Sequence, residues 1–165
     1  MNEKTIIEKY HKLTRILIDN SLTVSTMESC TGGLVGMLLS DASGASEVVR
    51  GGIFAYTNEI KIKNGVDAAV INKYGVYSAE TATAMATVAK KAFDSDIGIG
   101  ITGSMGRIDP ANPDSVPGEV YVGIDICGDI KNRFIIVDDA ARYDQRYQVA
   151  DEICDMLLKG GLRKQ

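Results

Sequence analysis

One histidine, three cysteines and three prolines are spread through 165 residues, and each scarcity closes something off. His11 stands in a segment of helical spacing with no motif around it, where it reads as a solvated face residue. A Ser-His-Asp triad therefore lacks an obvious base. Cys30, Cys127 and Cys154 are scattered and odd in number, which implies neither a disulfide framework nor a metal-spacing cluster. No metal or cofactor is expected. The net charge is −4 and the isoelectric point about 5.0, so there is no basic field for a nucleic-acid backbone, and that partner is not expected. No apolar run approaches the length of a membrane span, and no membrane partner is expected. The opening MNEKTIIEKYHK is charged and amphipathic, unlike a secretion signal, and the expected location is the cytosol. No G-x-x-x-x-G-K-[ST] is present, which excludes a P-loop nucleotide hydrolase.

What remains is an ordinary globular composition, 45% hydrophobic and 24% charged, in a length that suits one domain spanning 1–165. Ile6, Tyr10, Leu13 and Leu17 fall on one stripe of a helix expected over residues 2–20. Strands are expected at Leu22–Met27, Val48–Thr57 and Ile97–Thr102, and a hairpin at Glu119–Cys127 and Lys131–Asp138 around Gly128-Asp129. Between them come a helix at Thr31–Leu39, two short helical turns at Asn58–Lys63 and Asp67–Tyr74, and an Ala-rich helix at Ala79–Phe93 capped by Ser78. All three prolines sit in one loop, Gly103–Pro117, and a last helix covers Tyr143–Lys159. Strands interleaved with helices predict an α/β fold, a three-layer α/β/α sandwich with a mixed, mostly parallel sheet of about five strands. In such sheets ligands bind beyond the carboxyl ends of parallel strands. Three turns are expected there: Glu28–Gly33, Tyr56–Lys61 and Thr102–Gly106.

The stretch TVSTMESCTGGLVG, Thr23–Gly36, carries the most chemistry. A strand runs into a small polar turn and then into a helix, whose first N–H groups favour negative charge. Ser29 in that turn is a candidate nucleophile, with turn N–H groups as a candidate oxyanion site. A helix start that is merely rich in cap residues is the bland alternative. Without histidine, the base open to a serine is a lysine kept neutral by burial or by nearby positive charge. Lys61, after the glycine-bearing strand, is the candidate, with Tyr56 placed to relay or orient the proton. Its alternative is a solvated helix lysine, as Lys63 and Lys73 read. Cys30 competes as a nucleophile at a helix start, against the reading of a small buried residue. Gly98-Ile99-Gly100-Ile101-Thr102-Gly103 matches G-x-G-x-x-G, but its glycines alternate inside a strand and no helix follows. The better reading is a strand whose glycine face packs under a helix. Gly51-Gly52 likewise suggests a close approach to the second strand. Asp109, Asp114 and Glu119 fit no calcium loop and read as solvated.

Met27-Glu28-Ser29-Cys30-Thr31-Gly32-Gly33-Leu34 resembles the A-E-S-C-T-G-G-L signature of the C-terminal domain family of competence/damage-inducible protein CinA, which includes nicotinamide-nucleotide amidohydrolases. Arg50-Gly51-Gly52 followed by Tyr56-Thr57-Asn58-Glu59-Ile60-Lys61 is similar to that family's R-G-G-x-x-x-Y-S-N-E-x-K. Further blocks agree in order from about Leu22 to Leu158, among them Gly44-Ala45-Ser46, Tyr74–Glu80 and Ile101-Thr102-Gly103.

The resemblance implies hydrolysis of the carboxamide of nicotinamide mononucleotide, giving nicotinate mononucleotide and ammonia. Ser29 would be the nucleophile, with Lys61 and Tyr56 as its activators, and the protein would be a homo-oligomer. Cys30, Thr31, Gly32, Gly33 and Gly52 are expected to line the substrate's site. So are Thr102, Gly103, Arg107, Arg142 and Arg146. The last two arginines lie four apart and share a helical face, placed to grip a phosphate together or to be solvated. Larger CinA proteins carry an N-terminal molybdopterin-binding-like domain, for which 165 residues leave no room. One block departs. Where the family has I-A-G-P-G-G-G, this chain has Ser104-Met105-Gly106-Arg107-Ile108-Asp109-Pro110-Ala111-Asn112-Pro113. That change favours a second reading, a non-catalytic pyridine-nucleotide-binding or regulatory module of the same fold.

Overall fold

The computed structural model describes residues 2–162. The amphipathic stripe folds into α1 (Glu3–Asp19), with Ile6, Tyr10, Leu13 and Leu17 all buried. The chain continues through β1 (Val24–Glu28), α2 (Leu34–Ser40), a 3-10 turn (Ala45–Glu47), β2 (Val49–Phe54), α3 (Asn58–Lys63), α4 (Ala68–Tyr74), α5 (Ala79–Ala92), β3 (Ile97–Gly103), β4 (Glu119–Ile126), β5 (Asp129–Ile136) and α6 (Arg142–Lys159). The sheet order is β2-β1-β3-β4-β5, with β1 parallel to both neighbours and the two β4 ladders antiparallel. Only β4 therefore runs against the rest.

The strand period of two sorts β1 and β3 between two helical layers. Val24, Ile97, Ile99 and Ile101 join the core under α1, α2 and α6, while Met27 packs with Met85 and Ala89 of α5. The alternate glycines of β3 form the seat of α5. A Cβ at Gly100 would lie 2.1 Å from the Ala82 carbonyl oxygen, and one at Gly98 would lie 2.0 Å from that of Ala86. Gly123 on β4 has the same relation to Ala82 and Thr83. At Gly51 the close approach is the Phe93 ring, 2.5 Å from a Cβ built there. The expected tight seat and the expected approach to β2 are both present.

From β1 the chain passes to β2 on one side and then to β3 on the other. The carboxyl end of β1 thus lies at a switch in strand order, where open α/β sheets leave a crevice. Ser29 follows β1 by one residue. The expected turns after β1, β2 and β3 all reach this end of the sheet.

Candidate active site

Glu28 closes β1 with its side chain toward α2, and it accounts for the turn. Its buried carboxylate accepts from Thr31 Oγ1 at 2.7 Å and from the backbone N–H groups of Gly33 (3.1 Å), Val35 (3.1 Å) and Gly36 (2.7 Å). The negative charge that a helix start favours is thus supplied by the chain itself. Of the other turn groups, Ser29 N donates to the Ile101 carbonyl and Gly32 N to the Ser29 carbonyl. The N–H groups of Ser29, Gly32, Gly33, Val35 and Gly36 are thus bonded within the chain.

Ser29 points to the opposite side of the sheet from Glu28, toward α3. Lys61 lies in the last turn of α3, 1% exposed. Its Nζ donates to Ser29 Oγ at 3.2 Å, to the Ala55 carbonyl at 3.0 Å and to the Tyr56 carbonyl at 3.3 Å. Burial is the main influence on this amine and pulls its pKa down to about 8, with Cys30 and Asp109 only partly opposing it. A neutral amine has two N–H bonds and one lone pair. Two backbone carbonyls take the N–H bonds, and the third direction meets the serine hydroxyl. The cradle is satisfied whether Lys61 is charged or neutral, which suits a base that gains and loses a proton in place.

Ser29 opens into a cleft of about 490 Å³. Of the expected residues, Cys30, Tyr56, Gly103, Arg107 and Arg142 line it with Ser29, while Lys61 is buried behind the serine and reaches the cleft only through Ser29 Oγ. Tyr56 touches Lys61 through its carbonyl, and its side chain is an exposed rim, tilted against the Phe54 ring at 5.7 Å. Its phenol makes no bond to Ser29 or Lys61, so the expected proton relay has no hydrogen-bonded path here. Cys30 is buried, and that burial pushes its thiol up to about 12, the opposite of an activated thiolate.

The remaining expected residues lie elsewhere. Thr31 is buried and spends its hydroxyl on Glu28. Thr102 is buried and donates to the Val76 carbonyl at 2.9 Å. Gly52 lies against Thr26 Oγ1, facing α2 rather than the cleft. Gly32, Gly33 and Arg146 border a smaller depression of about 230 Å³ on the far side of the turn. Arg146 Nε donates to the Cys30 carbonyl at 3.1 Å, whereas Arg142 donates to the Met105 carbonyl at 2.7 Å. The two arginines face different hollows and do not grip one phosphate together. The offset is one helical turn, enough to carry Arg146 past the loop and under the Cys30–Gly33 turn.

The loop after β3 is built rather than slack. Asp109, expected to be solvated, is half-buried and accepts from Tyr77 Oη at 2.7 Å, Asn112 Nδ2 at 2.6 Å and the Ala111 N–H at 3.0 Å. Asn58 Nδ2 donates to Asn112 Oδ1 at 2.9 Å, tying the loop to α3. The site thus holds Glu28, Tyr77, Asp109 and Asn112, which the sequence reading gave no role. Spacing could not reveal the Tyr77–Asp109 and Asn58–Asn112 bonds, whose partners are distant in sequence, and no spacing rule links Glu28 at a strand end to the helix that follows. Among the described residues no helix is long and apolar enough to cross a membrane, and no group of three His, Cys, Asp or Glu is placed to hold a metal.

A mixed α/β/α sheet with a buried lysine on a serine at the carboxyl end of strand β1 defines the class of site. The CinA C-terminal domain model matches residues 7–160, and the chain belongs to that family. It is 38% identical over 144 residues to a CinA-like protein of Gemmatimonas aurantiaca, covering 87% of this chain and 33% of the relative. A CinA-like protein of Kosmotoga olearia is 41% identical over 117 residues, covering 70% and 28%. The chain thus spans about a third of the length of these curated relatives. A crystal structure of a competence-damaged protein (CinA) superfamily protein from Escherichia coli superposes with a TM-score of 0.88 at 25% identity, over 96% of this chain and 92% of that one.

Proposed function

We propose that the protein is an amidohydrolase that works through an acyl-serine, with nicotinamide mononucleotide as its substrate. The observation that carries the reading is the buried Lys61, held by two carbonyls with its remaining direction on Ser29 Oγ at 3.2 Å. Neutral Lys61 takes the proton of Ser29 as Oγ attacks the carboxamide carbon. The resulting ammonium stands beside the developing oxyanion and stabilises it. It then returns the proton to the leaving nitrogen, and ammonia departs as the acyl-serine forms. Water attacks the ester by the reverse use of Lys61, releasing the carboxylic acid and restoring the serine. The pyridine mononucleotide is suggested by the resemblance, and a 490 Å³ cleft has the capacity for a ligand of that class.

The test is release of ammonia from nicotinamide mononucleotide by the purified protein, with Ser29→Ala as the blank. Turnover well above the blank is expected. Binding without turnover in the wild type would instead favour the non-catalytic module, for which the bulky Ser104–Pro113 loop is the specific observation.

A further inference from the structure

The smaller hollow, of about 230 Å³, lies across the turn from the cleft, and no residue borders both. The turn contributes Gly32, α2 contributes Leu34 and Met37, and α6 contributes Tyr143, Arg146 and Tyr147. Arg146 is half-buried and spends one of its five N–H bonds within the chain, Nε donating to the Cys30 carbonyl at 3.1 Å. Among the described residues nothing accepts from Nη1 or Nη2, and no carboxylate pairs with the guanidinium. Both nitrogens are open to solvent. The group is nonetheless held in place. A Cβ at Gly32 would lie 3.2 Å from Arg146 Cζ and Nη2 and 3.4 Å from Nη1, so the guanidinium rests against bare backbone. The acids bonded to this region are spent elsewhere. Glu28 caps α2, and Glu3 accepts from the Tyr143 and Tyr147 hydroxyls, each at 2.8 Å. Beside the charge lies apolar surface, with Met37 46% exposed.

We infer that this hollow is a second binding site, for a small monocarboxylate with an apolar or aromatic body. An unpaired cation that is partly withdrawn from water attracts an anion more strongly than a solvated one does. With Nε taken, the fork left to Arg146 is the pair Nη1 and Nη2, which matches the two oxygens of a carboxylate. Leu34 and Met37 give the body of the acid an apolar neighbour, and a methionine adapts to its shape. The volume sets the size. At about 230 Å³ the hollow falls below the ~300–1,000 Å³ usual for larger ligands, so it suits a single ring or a short aliphatic acid rather than a nucleotide or a peptide chain. The site stands apart from the proposed reaction and meets it at one point. The arginine that would hold the acid also holds the Cys30 carbonyl, next to Ser29.

Methionine-methyl NMR of the whole chain tests the site, with benzoate as the probe. Met37 reports on this hollow, and Met105, which lines the cleft, reports on the other. Benzoate should move the Met37 signal saturably in the millimolar range and leave Met105 in place. Benzamide, of similar shape but uncharged, should move neither. Arg146→Gln should weaken benzoate binding tenfold or more, as expected for losing hydrogen bonds to a charged group. Should that variant fail to fold because the Cys30 carbonyl loses its donor, Met37→Glu at an exposed position decides instead. It sets a carboxylate beside the arginine, and calorimetric titration should then detect no benzoate binding. A Met37 signal that stays still overturns the inference, as does an equal response to benzamide. Movement of Met105 in place of Met37 assigns the acid to the cleft and overturns it too. So does undiminished affinity in a folded Arg146→Gln or in Met37→Glu. None of these outcomes bears on ammonia release, so the amidohydrolase reading stands or falls separately.

Discussion

Ser29 and Lys61 form the most economical unit in the molecule, and their chemistry depends on protonation. The amine must be neutral to accept the serine proton, and its pKa is lowered to about 8. The neutral fraction rises with pH, so the rate of ammonia release should climb about tenfold per unit from pH 6 and level off above 8. A flat profile between pH 6 and 9 would remove Lys61 as the base. Lys61→Met keeps the length of the side chain without a titrating nitrogen and should lower the rate by ~10²–10⁴-fold. The same change at exposed Lys63, two residues further along α3, should be nearly silent. Ser29→Ala should abolish turnover while leaving nucleotide binding within a few-fold, since only the covalent step is lost. Cys30 has the other fate available to a thiol at a helix start. Buried, with its pKa pushed up to about 12, it should resist thiol reagents at pH 8, while exposed Cys127 should react. The serine–lysine pair could be seen in the sequence because the lack of a histidine partner left few bases. The roles of Tyr56 and Thr102 could not, because strand and turn geometry decides whether a carbonyl or a side chain faces a site.

At the scale of elements, the β1–α2 turn and the β3–β4 loop do different work. The turn is self-sufficient: Glu28 satisfies the start of α2 with three N–H bonds and one hydroxyl. Glu28→Ala strands those buried donors, and a loss of about 2–4 kcal/mol is expected in urea denaturation. Recovery of part of that loss by Glu28→Gln, which keeps one acceptor oxygen, would separate capping from charge. A Glu28→Ala protein as stable as the wild type would show that water replaces the cap. The alternation of β1 read correctly as a strand, but no spacing rule links a strand's last residue to the following helix. The loop, by contrast, faces outward. Arg107 is exposed at the cleft, and the loop holds it through its backbone, the carbonyl accepting from Ser104 Oγ at 3.0 Å. Arg107→Ala should raise the dissociation constant of a nucleotide ligand roughly tenfold, with a much smaller effect on uncharged nicotinamide, because a hydrogen bond to a charged group is worth ~1.5–3 kcal/mol. Equal small effects on both ligands would make Arg107 a surface residue only.

At the scale of the whole molecule, one packing decision ties stability to the site. The alternating glycines of β3 were legible as a helix seat because a period of two inside an apolar strand leaves one face bare. Which helix would sit there was not legible, since sequence order does not say which face a crossover takes. The answer, α5, matters because Val76 and Tyr77 lie just before its Ser78 cap. Thr102 of β3 bonds the Val76 carbonyl, and Tyr77 bonds Asp109 in the cleft. A helix lifted from β3 therefore also lifts the wall of the cleft formed by Tyr77 and Asp109. Gly100→Ala tests the link. Its Cβ would meet the Ala82 carbonyl oxygen at 2.1 Å and the Ala86 nitrogen at 2.4 Å, backbone atoms that cannot turn aside. The destabilisation should lie at or above the top of the ~1–3 kcal/mol range typical of overpacking. Gly128→Ala is the control. No atom lies within 4 Å of a Cβ there and only the positive φ of 98° resists it, for a cost of about 1–2 kcal/mol. The two changes should also differ in function. In folded Gly100→Ala the affinity for nucleotide should fall as the wall shifts, while Gly128→Ala, in the β4–β5 hairpin, should bind as the wild type does. Equal urea midpoints for the two variants, with equal affinities, would mean that the glycine seat neither sets the stability of the sheet nor positions the cleft.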